Sequence, residues 1–485
     1  MATVLPSAAD RAPGLEGSLI QRLESILGPD GVRAGEEAAD KYGRDETEDF
    51  HFPPALAVLP RSTAEVSQVL ALAHRERLPV TPRGAGTGLS GGALPVEGGI
   101  VLSVERMNRI LSIDERDLVV EAQSGVVTGD LQRAVSRHGL YYPPDPSSRD
   151  TCLLAGNLAE NAAGARSCKY GPTGRWVLGL EAVMADGRVI ETGGRNRKDV
   201  SGYDLTHLLI GSEGTLAVIT RATLRLIGQP SQRLALLLPF PDLEPAAAAV
   251  EAIFRGGHQP AACELIEEKA LGAVARLEPL PQQLEGHRAL LLLELDGHHE
   301  DALLEEAARL SELSESVGGG EALLALDRAD QERLWKIRRR MGEAVKHLSS
   351  YKEADTVVPR SRLAELVQAA RAAGREQELE VVCYGHAGDG NLHVNILRGD
   401  LDEASWRRRR DACERALFER VLELGGSLTG EHGIGWVQRS LMPLRHDPAS
   451  LEIMRGIKRQ WDPRGILNPS KIFPDQDLPQ ADSRA

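Results

Sequence analysis

The sequence predicts an α+β protein built from more than one substructure, and three observations carry that expectation. The chain has 485 residues, too many for one ordinary hydrophobic core. Strand-like runs and amphipathic helices are mixed along it without an internal repeat, and its first glycine-rich loop joins strand to strand. An Asp-Gly pair, a strong short-range hairpin signal, stands at 389–390 between two apolar runs.

Composition narrows the class. A net charge of -14 argues against nucleic acid or anionic membrane covering the whole surface, and the basic cluster Arg407 to Arg410 reads as a solvated helix face. The five cysteines are scattered, with no Cys-x-x-Cys pair, which fits a reducing compartment and argues against an Fe–S cluster or zinc ribbon. Met1 to Gly17 lacks the basic and apolar regions of a secretory signal. No run approaches the roughly 18 apolar residues of a spanning helix. A cytoplasmic location is expected, with peripheral attachment at the inner membrane face compatible.

Taken in order, Ser62-Thr63-Ala64-Glu65 is a capping box opening a helix with Val66, Val69, Leu70 and Ala73 on its apolar face, closed by Pro79. The loop Pro82-Arg83-Gly84-Ala85-Gly86-Thr87-Gly88-Leu89-Ser90 then leads to strands at 100–104 and 118–122, and a helix is expected from Asp130 to His138, stopping at Gly139. A dinucleotide fingerprint needs a helix directly after its glycines, and Gly91, Gly92, Pro95, Gly98 and Gly99 exclude one here. Either a tight structural loop or a backbone nest for an anion fits that segment. Pro143 to Ser148 reads as a rigid turn, 155–164 as a small-residue stretch suited to lie against a flat ring, and Gly211 to Thr220 as a glycine turn entering a strand. Later, 235–238 and 289–295 read as strands and 301–313 and 363–373 as helices.

A type I′ turn at Asp389-Gly390 would set His386 directly opposite His393, with Cβ atoms roughly 5 Å apart. Glu431 and His432, about forty residues on, add a carboxylate and an imidazole. On the residues alone, this set is open to two readings, a metal site or hydrogen-bonded histidines.

In order and spacing, the segments from Pro82 to Thr220 resemble the PCMH-type FAD-binding domain of the vanillyl-alcohol oxidase superfamily. Trp335 to Arg338, the His386 hairpin, Glu431-His432-Gly433 and Asn468-Pro469-Ser470-Lys471 resemble the FAD-linked D-2-hydroxyacid dehydrogenases, the group of D-lactate dehydrogenase, D-2-hydroxyglutarate dehydrogenase and the glycolate oxidase flavoprotein subunit. The resemblance covers roughly residues 40 to 475. It implies a lead-in at 1–40, a two-lobed FAD-binding domain at 41–228, an antiparallel-sheet cap at 229–423 and a C-terminal segment at 424–485 returning to the flavin.

The same resemblance assigns roles. FAD is expected on Pro82, Arg83, Gly84, Ala85, Gly86, Thr87, Gly88, Leu89 and Ser90 at its pyrophosphate. Pro144, Asp145, Pro146, Gly156, Asn157, Asn161 and Gly164 are expected near its ring, Glu213, Gly214 and Ile219 toward the adenosine, and Asn468 on the returning segment. Gly91-Gly92-Ala93 stands where some relatives carry a flavin-linking His or Cys, so the FAD is expected to be non-covalent. His386, His393 and Glu431 are the implied ligands of a divalent metal, Zn²⁺ first with Mn²⁺ or Fe²⁺ as alternatives. His432 is the implied base, Arg338 the carboxylate clamp, and Lys352 and Asn395 further substrate contacts. The implied reaction oxidises a small 2-hydroxy acid and delivers electrons to a cytochrome, a quinone or an electron-transfer flavoprotein. Gly342, where hydroxyglutarate-type relatives carry a hydroxyl residue, favours D-lactate. A glycolate oxidase catalytic subunit, a D-2-hydroxyglutarate dehydrogenase and a non-catalytic flavin or metal protein are the competing readings, and partner subunits or a homodimer are compatible with the sequence.

Overall fold

The computed structural model describes residues 13–47 and 50–474. Strands β1 (Val32–Ala34), β2 (Leu56–Val58), β3 (Val80–Arg83) and β4 (Ile100–Ser103) form a mixed sheet in the order β1-β2-β4-β3. The helix Thr63–Glu76 packs Val66, Val69, Leu70, Leu72 and Ala73 into its core. Ser62 Oγ accepts from the Glu65 N–H at 3.3 Å while Glu65 reaches back to the Arg61 N–H at 2.7 Å, so the capping box forms one residue wider than its usual reciprocal pair. The helix stops at Arg77, whose φ of 53° turns the chain before Pro79 is reached.

Strands β5 (Ile110–Asp114), β6 (Val119–Gln123), β7 (Leu140–Tyr141), β8 (Val177–Met184), β9 (Val189–Gly193), β10 (Ala217–Arg225) and β11 (Ile227–Gly228) follow. Five of them make a second sheet in the order β5-β6-β10-β8-β9, antiparallel throughout, and β7 pairs with β11. The helix expected from Asp130 runs Thr128–Ser136. The small-residue stretch at 155–164 is partly helical, Leu154–Glu160, ended by Asn161 at a φ of 54°. As expected, no helix follows Gly88: the chain runs from β3 to β4 without one.

The remainder is organised on a seven-stranded antiparallel sheet. Its strands are β12 (Gln232–Phe240), β13 (Ala262–Glu267), β14 (Ala289–Gly297), β15 (Leu323–Ala325), β16 (Tyr351–Val357), β17 (Glu380–His386) and β18 (Asn391–Leu397), ordered β15-β12-β14-β13-β17-β18-β16. One face packs the helices Leu243–Arg255, Glu300–Ser316, Leu363–Glu376 and Glu403–Glu423. The other packs Glu268–Val274, Arg328–Arg339 and Met341–Leu348 and carries a strip of polar side chains. The fold is thus α+β, with a two-lobed first half and an antiparallel-sheet second half.

The expected hairpin forms with a different turn. His386 pairs with Asn391 and Tyr384 with His393, so the connection is the four residues Ala387–Gly390, a 3₁₀ turn closed by Gly390 at a φ of 74°. A type I′ turn at 389–390 would have placed His386 opposite His393, and the observed register is displaced by two residues from that. Side chains alternate with period two, so both histidines still share one face. They sit as diagonal neighbours, with ring centroids 5.4 Å apart.

After the helix Pro448–Trp461 the chain returns to the first sheet. Leu467 bridges Val80, the Val80 N–H donates to Ile466 O, and the Asn468 N–H donates to Val80 O. Among the described residues no helix is long and apolar enough to cross a membrane.

Candidate active site

A cleft runs between the glycine loop after β3 and the turns around 146–163 and 212–219, and it ends on Glu431 and His432. Pro82, Arg83, Gly84, Ala85, Gly86, Thr87, Gly88 and Leu89 line it, with Pro146, Gly156, Asn157, Glu213, Gly214 and Ile219. The helix Leu154–Glu160 lays small residues along the wall, and Ala155, Ala159, Ala162 and Ala163 border the same space. Ser147, Ser148, Glu160, Ser212 and Ala217 also line the wall; they lie in the segments singled out from the sequence but were not named individually, because their residue types carry no motif of their own.

The other residues expected around FAD lie outside that wall. The Ser90 carbonyl accepts from the Trp436 and Val437 N–H groups. Pro144 O accepts from Gln132 Nε2, and Asp145 pairs with Arg149 and Arg166. Asn161 Oδ1 accepts from the Gly174 N–H. Gly164 lies so close to Asp145 O that a Cβ there would come within 2.1 Å. Asn468 Nδ2 donates to Gly92 O and Glu213 O, pinning the returning segment beneath the glycine loop.

The segment 429–437 joins the two halves. Asp355 Oδ2 on β16 accepts from Thr429 Oγ1 and from the N–H groups of Gly430, Glu431 and His432. On the other side, Glu213 accepts from the Ile434 and Gly435 N–H groups at 2.8 and 2.6 Å. Glu431 and His432 are therefore held between a buried carboxylate of the large sheet and one of the cleft wall. Burial alone would raise the Asp355 pKa, but His432, His393 and these donors hold it well below the usual carboxylate range.

Behind Glu431 lie the hairpin histidines. Glu431 Oε1 is 3.2 Å from His386 Nε2, 3.6 Å from His393 Nε2 and 3.9 Å from His432 Nε2. His386 Nδ1 faces Glu264 Oε1 at 2.7 Å, and Arg338 Nε donates to Glu264 Oε2 at 2.6 Å. Burial works against the Glu264 charge, but His386 and Arg338 hold its pKa down to about 2. Burial likewise disfavours a charged His386, yet Glu264 and Glu431 raise its pKa to about 10. Burial pushes His393 below its ordinary value. His432 is opposed by burial too, but Asp355, Glu353 and Glu431 raise it, which makes it a stronger proton acceptor.

Arg338 lies in the last turn of the helix Arg328–Arg339, 5.0 Å from the Tyr384 ring centroid. Asn395 shares the face of His393, donating from Nδ2 to Val382 O at 3.3 Å. Lys352 does not join the cluster. It pairs with Ile396 on β18, and the alternation of β16 sends its side chain to the opposite face, where its charge opposes that of Glu414. Its neighbour Glu353, unnoticed in the sequence, points into the site instead.

The donor set fits a divalent ion. His386, His393 and Glu431 offer ligand atoms within 4.8 Å of one another, as do Glu353, His393 and His432. A metal-bound histidine commonly gives its second nitrogen to a carboxylate, and Glu264 provides this for His386. His393 Nδ1, buried without a hydrogen-bond partner among the described residues, faces Glu353 at 3.5 Å, leaving Nε2 toward Glu431. The wall fits FAD as well: its glycines expose backbone, and a Cβ on Gly156 or Gly88 would meet nothing within 4 Å.

Residues 54–193 match the family model described as FAD binding domain, and residues 229–472 match that of FAD linked oxidases, C-terminal domain. The chain belongs to the FAD-linked oxidases and is an FAD-linked oxidoreductase. Within that class it falls in the group of D-lactate, glycolate and D-2-hydroxyglutarate dehydrogenases. It is 35% identical over 458 residues to the glycolate oxidase subunit GlcD of Bacillus subtilis (strain 168), covering 93% of this chain and 96% of the relative. It is 39% identical over 441 residues to the D-lactate dehydrogenase of Archaeoglobus fulgidus, covering 90% and 96%. The D-2-hydroxyglutarate dehydrogenase of Stutzerimonas stutzeri is 33% identical over 459 residues, covering 94% and 99%. In fold, the chain is similar to p-cresol methylhydroxylase with substrate bound, at a TM-score of 0.79 and 16% identity over 98% of this chain and 100% of that one.

Proposed function

We propose that the protein oxidises a small D-2-hydroxy acid, D-lactate foremost, to the 2-oxo acid and passes the electrons to an acceptor other than NAD. The observation that carries this reading is the meeting of the flavin cleft with Glu431 and His432, which are backed by His386 and His393. Bound FAD supplies N5 as acceptor of the C2 hydrogen with its electron pair, and a divalent ion on His386, His393 and Glu431, Zn²⁺ first and Mn²⁺ or Fe²⁺ as alternatives, supplies Lewis acidity toward the hydroxyl. His432 takes the hydroxyl proton. Arg338, its Nε engaged by Glu264, offers its two Nη groups to the substrate carboxylate. Asn395 stands by as a polar contact on the same face.

FAD is held non-covalently in this reading. Among the described residues of the cleft wall there is no cysteine, and His432 is the one histidine. In this reading residues 41–228 hold the flavin, 229–423 cap it, and 424–485 return to it, with 48, 49 and 475–485 lying outside the described residues. A cytochrome, a quinone or an electron-transfer flavoprotein re-oxidises the flavin, at a cytoplasmic or peripheral membrane location.

The chain purified alone, assayed with an artificial dye, should oxidise D-lactate faster than glycolate or D-2-hydroxyglutarate. The likeness to a glycolate oxidase subunit supports a second reading, a catalytic subunit in a larger complex. Activity appearing only with co-expressed partners, and highest on glycolate, would select it.

A further inference from the structure

Glu353 stands behind His393 and His432, and the reaction as assigned above gives it no contact with the substrate. It leaves β16 on the face of Asp355 and pairs with Asn395, one alternate position from His393. Its side chain is 16% exposed, and Oε1 stands 3.5 Å from His393 Nδ1 and 3.6 Å from His432 Nδ1. Among the described residues it makes no ion pair with an arginine or lysine, and Lys352 beside it points to the other face.

The strand order β13-β17-β18-β16 lays the polar side chains out as a row. Glu264 with Arg338 stands at one end, His386 and His393 follow, and Glu353 closes the edge strand. Adjacent strands lie about 4.8 Å apart and the row runs diagonally across them, since His386 pairs with Asn391 while Glu353 pairs with Asn395; a cation and a carboxylate terminate it. The four substituents of C2 in a hydroxy acid point away from one another. With the C1 carboxylate on Arg338, the oxygen at Glu431 and His432, and the hydrogen toward the flavin cleft, the C3 branch is directed away from Arg338 and toward Glu353.

We propose that Glu353 sets the substrate class, admitting 2-hydroxy monocarboxylates and rejecting acids that carry a second carboxylate at the far end. The proposal rests on the reading of the site as a hydroxy-acid dehydrogenase. The rejection is electrostatic, a carboxylate placed against the wrong ligand.

Its test compares D-2-hydroxyglutarate with D-2-hydroxyvalerate, equal in chain length and lacking the second charge, with D-lactate as reference. In the wild-type holoenzyme, kcat/KM for D-2-hydroxyvalerate should exceed that for D-2-hydroxyglutarate by about 100-fold. In Glu353→Gln the ratio should shrink by about tenfold or more, whatever happens to the absolute rates. A binding measurement needs no variant: 2-oxovalerate should perturb the flavin spectrum of wild-type protein at concentrations about tenfold or more below those of 2-oxoglutarate. Equal use of the two acids by the wild type, equal binding of the two oxo acids, or an unchanged ratio in Glu353→Gln would overturn the proposal. Failure of all three acids to reduce the flavin would instead overturn the dehydrogenase reading beneath it.

Discussion

Asp355 touches neither the cleft nor the proposed substrate, yet Glu431 and His432 depend on it. One of its oxygens accepts from Thr429 Oγ1 and three consecutive N–H groups, and the other from Asn391 Nδ2 at 2.6 Å. Replacing it by alanine leaves these donors buried and unmatched, at a cost of about 3 kcal/mol or more. Asp355→Ala should therefore lower the urea midpoint, and it should slow flavin reduction by D-lactate about 100-fold, with Asp355→Asn recovering part of both. Nothing in the sequence separated Asp355 from an ordinary strand residue. The same holds for Glu264 and Glu353, because a supporting carboxylate is recognised only once strand order sets it beside the histidine it serves. The histidines, Glu431 and Arg338 were legible because they sit in compact motifs.

At the scale of the element, the hairpin shows how a wrong turn can still give the right face. Asp389-Gly390 suggested a two-residue connection, but Gly388 is wedged against Cys168 and Cys263, and Gly390 passes Val358 so closely that a Cβ would lie 2.0 Å from its carbonyl oxygen. Packing against these neighbours selects the longer loop, which local propensity could not anticipate. Because the displacement was two residues, His386 and His393 kept their common face; a displacement of one would have separated them. Gly390→Ala should destabilise the protein by about 2 kcal/mol and weaken metal retention on dialysis. An unaltered unfolding midpoint would mean that the loop tolerates a side chain there.

For the whole molecule, the returning C-terminal segment couples fold and flavin cleft. Lys471 donates to Leu94 O just beyond the glycine loop, and burial, against the opposing pull of Asp45 and Glu213, lowers its pKa to about 7. Between about pH 7 and its ordinary value of 10.5 the unfolded chain binds the extra proton, so this residue's contribution makes stability rise with pH across that window and leaves it flat below. Wild-type Tm minus Lys471→Met Tm should accordingly increase from about pH 7 to about pH 9. A constant difference would place the amine's titration elsewhere. At this scale the sequence was most informative: the α+β class, the strand-to-strand glycine loop and the antiparallel sheet all followed from periodicity, turn chemistry and resemblance. The strand order that assembles the site from β13, β16, β17 and β18 was not readable, since it depends on pairings between segments up to about 120 residues apart.

The most direct test of the proposed chemistry is the rate at which anaerobic D-lactate bleaches the visible flavin band in a stopped-flow mixer, before and after chelation of divalent metal. Bleaching in one fast phase is expected for the untreated protein, slowed by about two orders of magnitude or more after chelation and restored by added Zn²⁺ or Mn²⁺. Bleaching at full rate in protein shown to be metal-free would contradict the role given to His386, His393 and Glu431.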